Sequence, residues 1–182
     1  MAPKQRAAAT RARRKTLPPV PRGFHTVTPN LAVAGGAAAI EFYKRAFGAR
    51  ELTRQSTPEG RVIHARIKIG DSIVMLSDVF EGSDRTAPST IGTSTVTLHI
   101  YTRDVDAMWN RAIDAGAKVT RALEDQYWGE RYGHLVDPFG HHWSLAAPVR
   151  MSSAVRAAKR KEAISAFSRG EHPTKEPQFS DI

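Results

Sequence analysis

Ala37-Ala38-Ala39-Ile40-Glu41-Phe42-Tyr43-Lys44-Arg45-Ala46-Phe47-Gly48 decides how the rest of the chain is read. Ile40, Tyr43 and Phe47 recur at helical spacing, and Gly48 supplies the left-handed stop that ends a helix. Upstream, His25 to Val33 alternates, with Val27, Leu31 and Val33 on one face and Thr26, Thr28, Asn30 and Ala32 on the other, the pattern of a half-buried strand. Downstream, Glu51 to Ser56 reads as a weak strand and Pro58-Glu59-Gly60 as a turn. Arg61 to Ile69 then sets Ile63, Ala65, Ile67 and Ile69 against Val62, His64, Arg66 and Lys68. After the Gly70-Asp71 turn, Ser72 to Val79 forms a more buried strand, so the order is βαβββ.

Beyond a polar loop over 81–92 the pattern returns. Thr95 to Tyr101 alternates, Asp104 caps a helix carrying Val105, Met108, Trp109, Ala112 and Ile113, and Gly116 stops it. Strands follow at Lys118–Leu123, Arg131–Val136 and His142–Ala147, the last two joined by Asp137-Pro138-Phe139-Gly140. The helix stops lie 68 residues apart and the late turns at Gly70 and Gly140 lie 70 apart. Matching order and spacing indicate a duplication with modules over 25–80 and 93–148. One helix covers one face of a four-stranded sheet and leaves the other open. The prediction is an α+β fold in which two tandem βαβββ modules form a curved eight-stranded mixed sheet around a cleft, with the helices outside. Thr28, Asn30, His64, Arg66, Thr97, His99 and Tyr101 are expected to line that cleft, which suits a small molecule.

Composition narrows the function classes. The 182 residues are 41% hydrophobic and 25% charged, enough for a core, and no apolar run reaches the roughly 20 residues that span a bilayer. The chain has no cysteine, which removes disulfides, thiolate metal sites and cysteine nucleophiles and fits a cytoplasmic protein. The net charge of +9 divides into +7 over 1–22, +3 over 150–182 and −1 between them. The basicity therefore sits outside the fold; weak nonspecific nucleic-acid contact through 1–22 is the most it allows, and that contact is not expected. Residues 1–23 read as a disordered basic tail, 24–149 as the domain, 150–170 as a C-terminal helix with Met151, Val155, Ala158, Ile164 and Phe167 packed on the domain or a partner, and 171–182 as a loose tail.

The segment Ala39-Ile40-Glu41-Phe42-Tyr43 with Ala46-Phe47-Gly48-Ala49, and the turn Asp137-Pro138-Phe139-Gly140-His141-His142-Trp143, resemble the vicinal oxygen chelate superfamily of glyoxalases, bleomycin-binding proteins, fosfomycin resistance proteins and extradiol dioxygenases. Gly70 to Asp78 and Asp125 to Gly133 are similar to its PhnB-like branch. The resemblance covers roughly 25–149 and implies a homodimer and a cleft that binds a small molecule. The family's metal positions map onto Thr28, Met75 (Val74 if the register slips by one), Thr97 and Ser144. None of these is a usual ligand for a transition metal, so no metal and no cofactor are expected at that site. A rearranged site of His64, His99 and His134 with Asp78 nearby is the alternative.

Candidate site residues follow from chemistry. His64 is a titratable group for acid–base work, with Asp78 as a possible general base. Thr28, His99 and His134 offer polar contacts to a ligand. Gln126, Trp128 and Arg131 combine an amide, a stacking ring and a cation in one segment. His141 and His142 are adjacent in a strand and face opposite ways, so one of them is expected to be exposed. There is no Gly-x-Ser-x-Gly elbow and no phosphate-binding glycine loop. The expected function is small-molecule binding without the standard metal. A lyase, a dioxygenase, or an isomerase or epimerase using His64 is the enzymatic alternative, and an interaction protein acting through its basic tail is the third.

Overall fold

The computed structural model describes residues 18–170, so the first 17 residues of the predicted tail over 1–23, and the whole of that over 171–182, lie outside the described residues. The first module runs β1 (Asn30–Val33), α1 (Gly36–Phe47), β2 (Arg50–Ser56), β3 (Val62–Ile69) and β4 (Ser72–Asp78). A short helix α2 (Pro88–Ile91) precedes β5 (Thr97–Tyr101), α3 (Val105–Asp114), β6 (Lys118–Asp125), β7 (Glu130–Val136) and β8 (His142–Pro148), and α4 (Ser153–Ser168) follows. Hydrogen bonds join the strands into two four-stranded sheets, ordered β1-β4-β3-β2 and β5-β8-β7-β6. The predicted βαβββ repeat is therefore present, as two separately bonded sheets that do not close. The copies match in register: Asn30 lies opposite Met75 on parallel strands, and His99 lies opposite Ser144 at positions 69 residues later.

The helix-facing sides of both sheets feed one core. Ile40, Phe42, Tyr43 and Phe47 of α1 and Met108, Trp109 and Ala112 of α3 meet Val33, Ile67, Leu76, Leu135, Trp143 and Leu145 of the strands. The two helices pack against each other. A buried carboxylate ties the halves together: Asp137 Oδ2 accepts from the Tyr43 hydroxyl and from Trp143 Nε1, each at 2.8 Å. Its Oδ1 accepts from the amides of Phe139 and His141, each at 2.9 Å. Burial first, and the Asp137 charge second, hold the Tyr43 phenol well above its ordinary pKa.

Two predicted details are corrected. β1 begins at Asn30 rather than near His25, because Pro29 has no N–H for the ladder, although its carbonyl still accepts from Met75 N–H at 2.9 Å. Val27 is consequently 84% exposed. In β3, Gln55 pairs with His64 while Ser56 pairs with Val62, so Ile63 is the extra residue of a bulge. Val62 turns into the core and Ile63 outward, reversing the predicted alternation there. The reason is local: Val62 N–H donates to Asp78 Oδ2 at 2.7 Å, and its side chain packs where a Cβ on Gly36 would come within 2.8 Å. The helix α4 starts as predicted, with the Ser152 hydroxyl accepting from Val155 N–H at 3.3 Å; within the chain it buries no residue, and Val155, Ile164 and Phe167 are about half exposed.

Candidate functional site

The polar side of the second sheet gathers rings and titratable groups. Register sets His99, Ser144, His134 and Arg121 in one row across β5, β8, β7 and β6, and Tyr101, Ala146, Tyr132 and Glu124 in the next. The central strand contributes small buried residues, Ser144 and Ala146, between strands that carry rings. The result is a trough with a low floor and aromatic walls. The His99 and Tyr101 rings meet edge to face at 4.4 Å, and the His99 and Tyr132 rings lie nearly parallel at 5.8 Å. Trp128 meets the Tyr132 edge at 5.5 Å.

Hydrogen bonds lock these rings. His99 Nδ1 and the Ser144 hydroxyl are bonded at 2.7 Å, and the Tyr132 hydroxyl and His134 Nε2 at 2.6 Å. Glu130 accepts from the Tyr101 hydroxyl and from Trp128 Nε1, each at 2.8 Å, so one carboxylate fixes both walls. That bond raises the Tyr101 pKa. Lost hydration lowers the His99 pKa against the opposing pull of Glu130, leaving its imidazole neutral at pH 7. The Arg121 guanidinium stands 5.4 Å from the Tyr132 ring centre and 5.8 Å from that of Trp128, and donates to Gln126 Oε1 at 3.0 Å. His142, on the same face, holds a buried Nε2 with no hydrogen-bond partner among the described residues. Beside the trough, a cleft of about 1030 Å³ is bordered by His25, Ile73, Thr97, His99 and Tyr101.

The predicted site residues divide. His99, His134, Gln126 and Trp128 come together in and around the trough. His64 lies on the other sheet, paired with Gln55. Thr28 precedes β1, and its hydroxyl donates to the His25 carbonyl at 2.9 Å. Asp78 faces α1 and is buried. Its Oδ1 accepts from Gly35 and Gly36 N–H at 2.8 Å, and its Oδ2 takes the Val62 amide, so it anchors the helix start. Arg131 points to the helix side: its Nε and Nη2 reach Asp106 at 3.0 and 2.8 Å, and its Nη1 reaches Asp125 at 3.3 Å. The arginine of the trough is Arg121. Sequence reading missed Arg121 and Glu130; the alternation of β7 about Gly133 was the available signal, but using it required the register. Of the adjacent histidines neither is exposed: His141 is 7% exposed with Nε2 3.1 Å from the Ala32 carbonyl, and His142 is half-buried.

The register also revises the mapped metal positions. Asn30, not Thr28, lies opposite Met75, and His99, not Thr97, lies opposite Ser144. An amide, a thioether, a hydroxyl and one imidazole make a poor donor set for a transition metal. Among the described residues no three His, Asp or Glu side chains converge on one point. The alternative three-histidine site places only His99 and His134 on one face.

Comparison with known proteins agrees with the fold. Over 127 residues the chain is 49% identical to an uncharacterized protein of Mycobacterium bovis, covering 68% of this chain and 84% of that one. The crystal structure of TioX from Micromonospora sp. ML1 superposes with a TM-score of 0.55 at 27% identity, covering 71% of this chain and all of that one. A Bacillus cereus PhnB protein, described as a putative 3-demethylubiquinone-9 3-methyltransferase, shares the fold at 18% identity with a TM-score of 0.54, over 68% of this chain and 99% of that one. The sequence profile of the glyoxalase domain matches residues 23–145. The chain belongs to the Glyoxalase/Bleomycin resistance protein/Dioxygenase superfamily.

Proposed function

We propose that this chain binds a small planar molecule with a polar or anionic group in the trough of the second sheet, without the superfamily's standard metal. The observation that carries the reading is the ring array of His99, Tyr132 and Trp128 with the Arg121 cation beside it. A flat ligand would stack on rings that are already locked, so little side-chain freedom is lost on binding. Arg121 would meet an anionic oxygen, and neutral His99 would exchange a hydrogen bond without carrying charge. We also propose a homodimer. The helices close one shared core within the chain, and each polar face is left as half of a cleft that a second chain could complete. A cytoplasmic location fits the cysteine-free composition.

The test is a thermal-shift and fluorescence screen of planar aromatic compounds, metal-free bleomycin among them, on the purified chain. At least one compound should stabilise the protein, with binding weakened at least about 10-fold by Tyr132→Ala and by Arg121→Gln. Binding that survives both changes and disappears in His64→Ala would place the ligand on the first sheet and sink the proposal. Sedimentation at a mass near twice 20.0 kDa supports the dimer.

A further inference from the structure

The superfamily match ends at residue 145, and the segment beyond it builds a second cavity. After β8, the Val149 amide donates to the Gly129 carbonyl at 2.9 Å, and Lys159 Nζ of α4 donates to the Asp125 carbonyl at 2.8 Å. These bonds hold α4 against the turn between β6 and β7. Between them lies a cavity of about 910 Å³, lined by Tyr127 and Trp128 on one side and by Arg156, Arg160, Lys161 and Ile164 of α4 on the other. The two rings meet at 5.0 Å and nearly perpendicular, forming an aromatic corner, and Trp128 is 39% exposed.

The charge of this cavity is one-sided. No carboxylate lines it, and among the described residues none of its three cations is held in an ion pair. Arg156 and Arg160 are four residues apart on one helix face, a mutually repulsive pair that a bound anion would relieve. Gly129 keeps room for this arrangement: its φ is +96°, and a Cβ there would come within 2.8 Å of Arg156 Nη2. A flat apolar corner facing a guanidinium pair and an ammonium is complementary to an aromatic ring bearing an anionic group.

We propose that this cavity is a second binding site, for a small organic anion with a flat aromatic body. The ring packs on Tyr127 and Trp128, and the carboxylate or phosphate sits among Arg156, Arg160 and Lys161. The site is separate from the trough, although Trp128 has one edge in each.

The test is a titration of the full chain with 2-naphthoate and with 2-naphthyl phosphate, read by quenching of tryptophan fluorescence. Trp109 and Trp143 are 7% and 2% exposed, so the quenching reports Trp128. Both anions should bind saturably and at least about 10-fold more tightly than neutral 2-naphthol, and the tighter of the two identifies the head group. The Arg156→Gln/Arg160→Gln double variant, altered only at exposed positions, should weaken binding at least about 10-fold with an unchanged melting temperature. His99→Ala, which alters the trough at a ring that does not touch Trp128, should leave this binding intact. Equal affinity for 2-naphthol, or full affinity in the double variant, would overturn the proposal. So would anion binding lost in His99→Ala alone, or tight binding of a single-stranded oligonucleotide with neither small anion bound, which would make α4 a nucleic-acid surface instead.

Discussion

The two halves of the chain share a frame and differ in what they display on it. In the first sheet one register row reads Asn30, Met75, Arg66 and Thr53; the equivalent row of the second reads His99, Ser144, His134 and Arg121. Each half also has an ion cluster that staples its helix to its sheet. Glu41 and Lys44 of α1 meet Glu51 and Arg54 of β2, whereas Asp106 of α3 meets Arg131 of β7, with Asp125 of β6 joining it. The helix-facing positions are held to similar packing in both halves because both feed one core. The outward positions are free of that demand: the strand rows of the second sheet carry the rings themselves, whereas the row of the first meets a ring through Arg66, which stands 5.7 Å from the centre of Phe24. The duplication therefore explains the architecture but not the site.

The strongest way to break the comparison is to cut what the halves share. Asp137→Ala strands the Tyr43 hydroxyl, the Trp143 indole and two amides in the core, and should cost roughly 3–5 kcal/mol in chemical denaturation. Gly133→Ala comes next. A Cβ there would come within 2.6 Å of the Trp109 ring and 3.0 Å of Leu123 Cα, so the variant should lose about 1–3 kcal/mol by the same assay.

Acid should also weaken the seam between the halves. Burial holds the His141 pKa below its ordinary 6.5, against the pull of Asp137 and with some repulsion from His142. A depressed folded-state value means that the contribution of neutral His141 is complete above 6.5 and is lost as pH falls through the folded value. The melting temperature should therefore drop between pH 7 and pH 5, and His141→Gln should flatten that drop. The ion clusters should matter least. Glu51→Gln and Arg131→Gln should each cost at most about 1 kcal/mol, because both staples are partly exposed. The Glu51 pKa is lowered to about 2, first by its bond to Arg54 and then by Lys44. Its contribution is complete above 4.5 and fades only as pH falls toward 2.

Much of the frame was legible in the sequence because it depends on local signals. Gly48 caps α1 in the left-handed conformation, Asp104 accepts from Ala107 N–H to cap α3, and the Ile67 and Ile69 alternation survives in β3. What failed was non-local. The bulge at Ile63 is set by Asp78 and Gly36, which lie outside its strand. Arg131 looked like a ligand cation in its own segment, but the parity of β7 turns it to α3, and Arg121, on a neighbouring strand, takes its place. Asp78 looked like a base, but three backbone amides claim its oxygens. The candidate site is a property of register across four strands, which no single segment encodes.

The central claim is that ligand binds the second sheet and not its twin. Histidine side-chain NMR of the full chain, titrated with a compound from the aromatic screen, tests it most directly. The account predicts saturable shifts of the His99 and His134 ring signals while His64 stays unmoved. Saturable movement of His64 with His99 and His134 unchanged would contradict it.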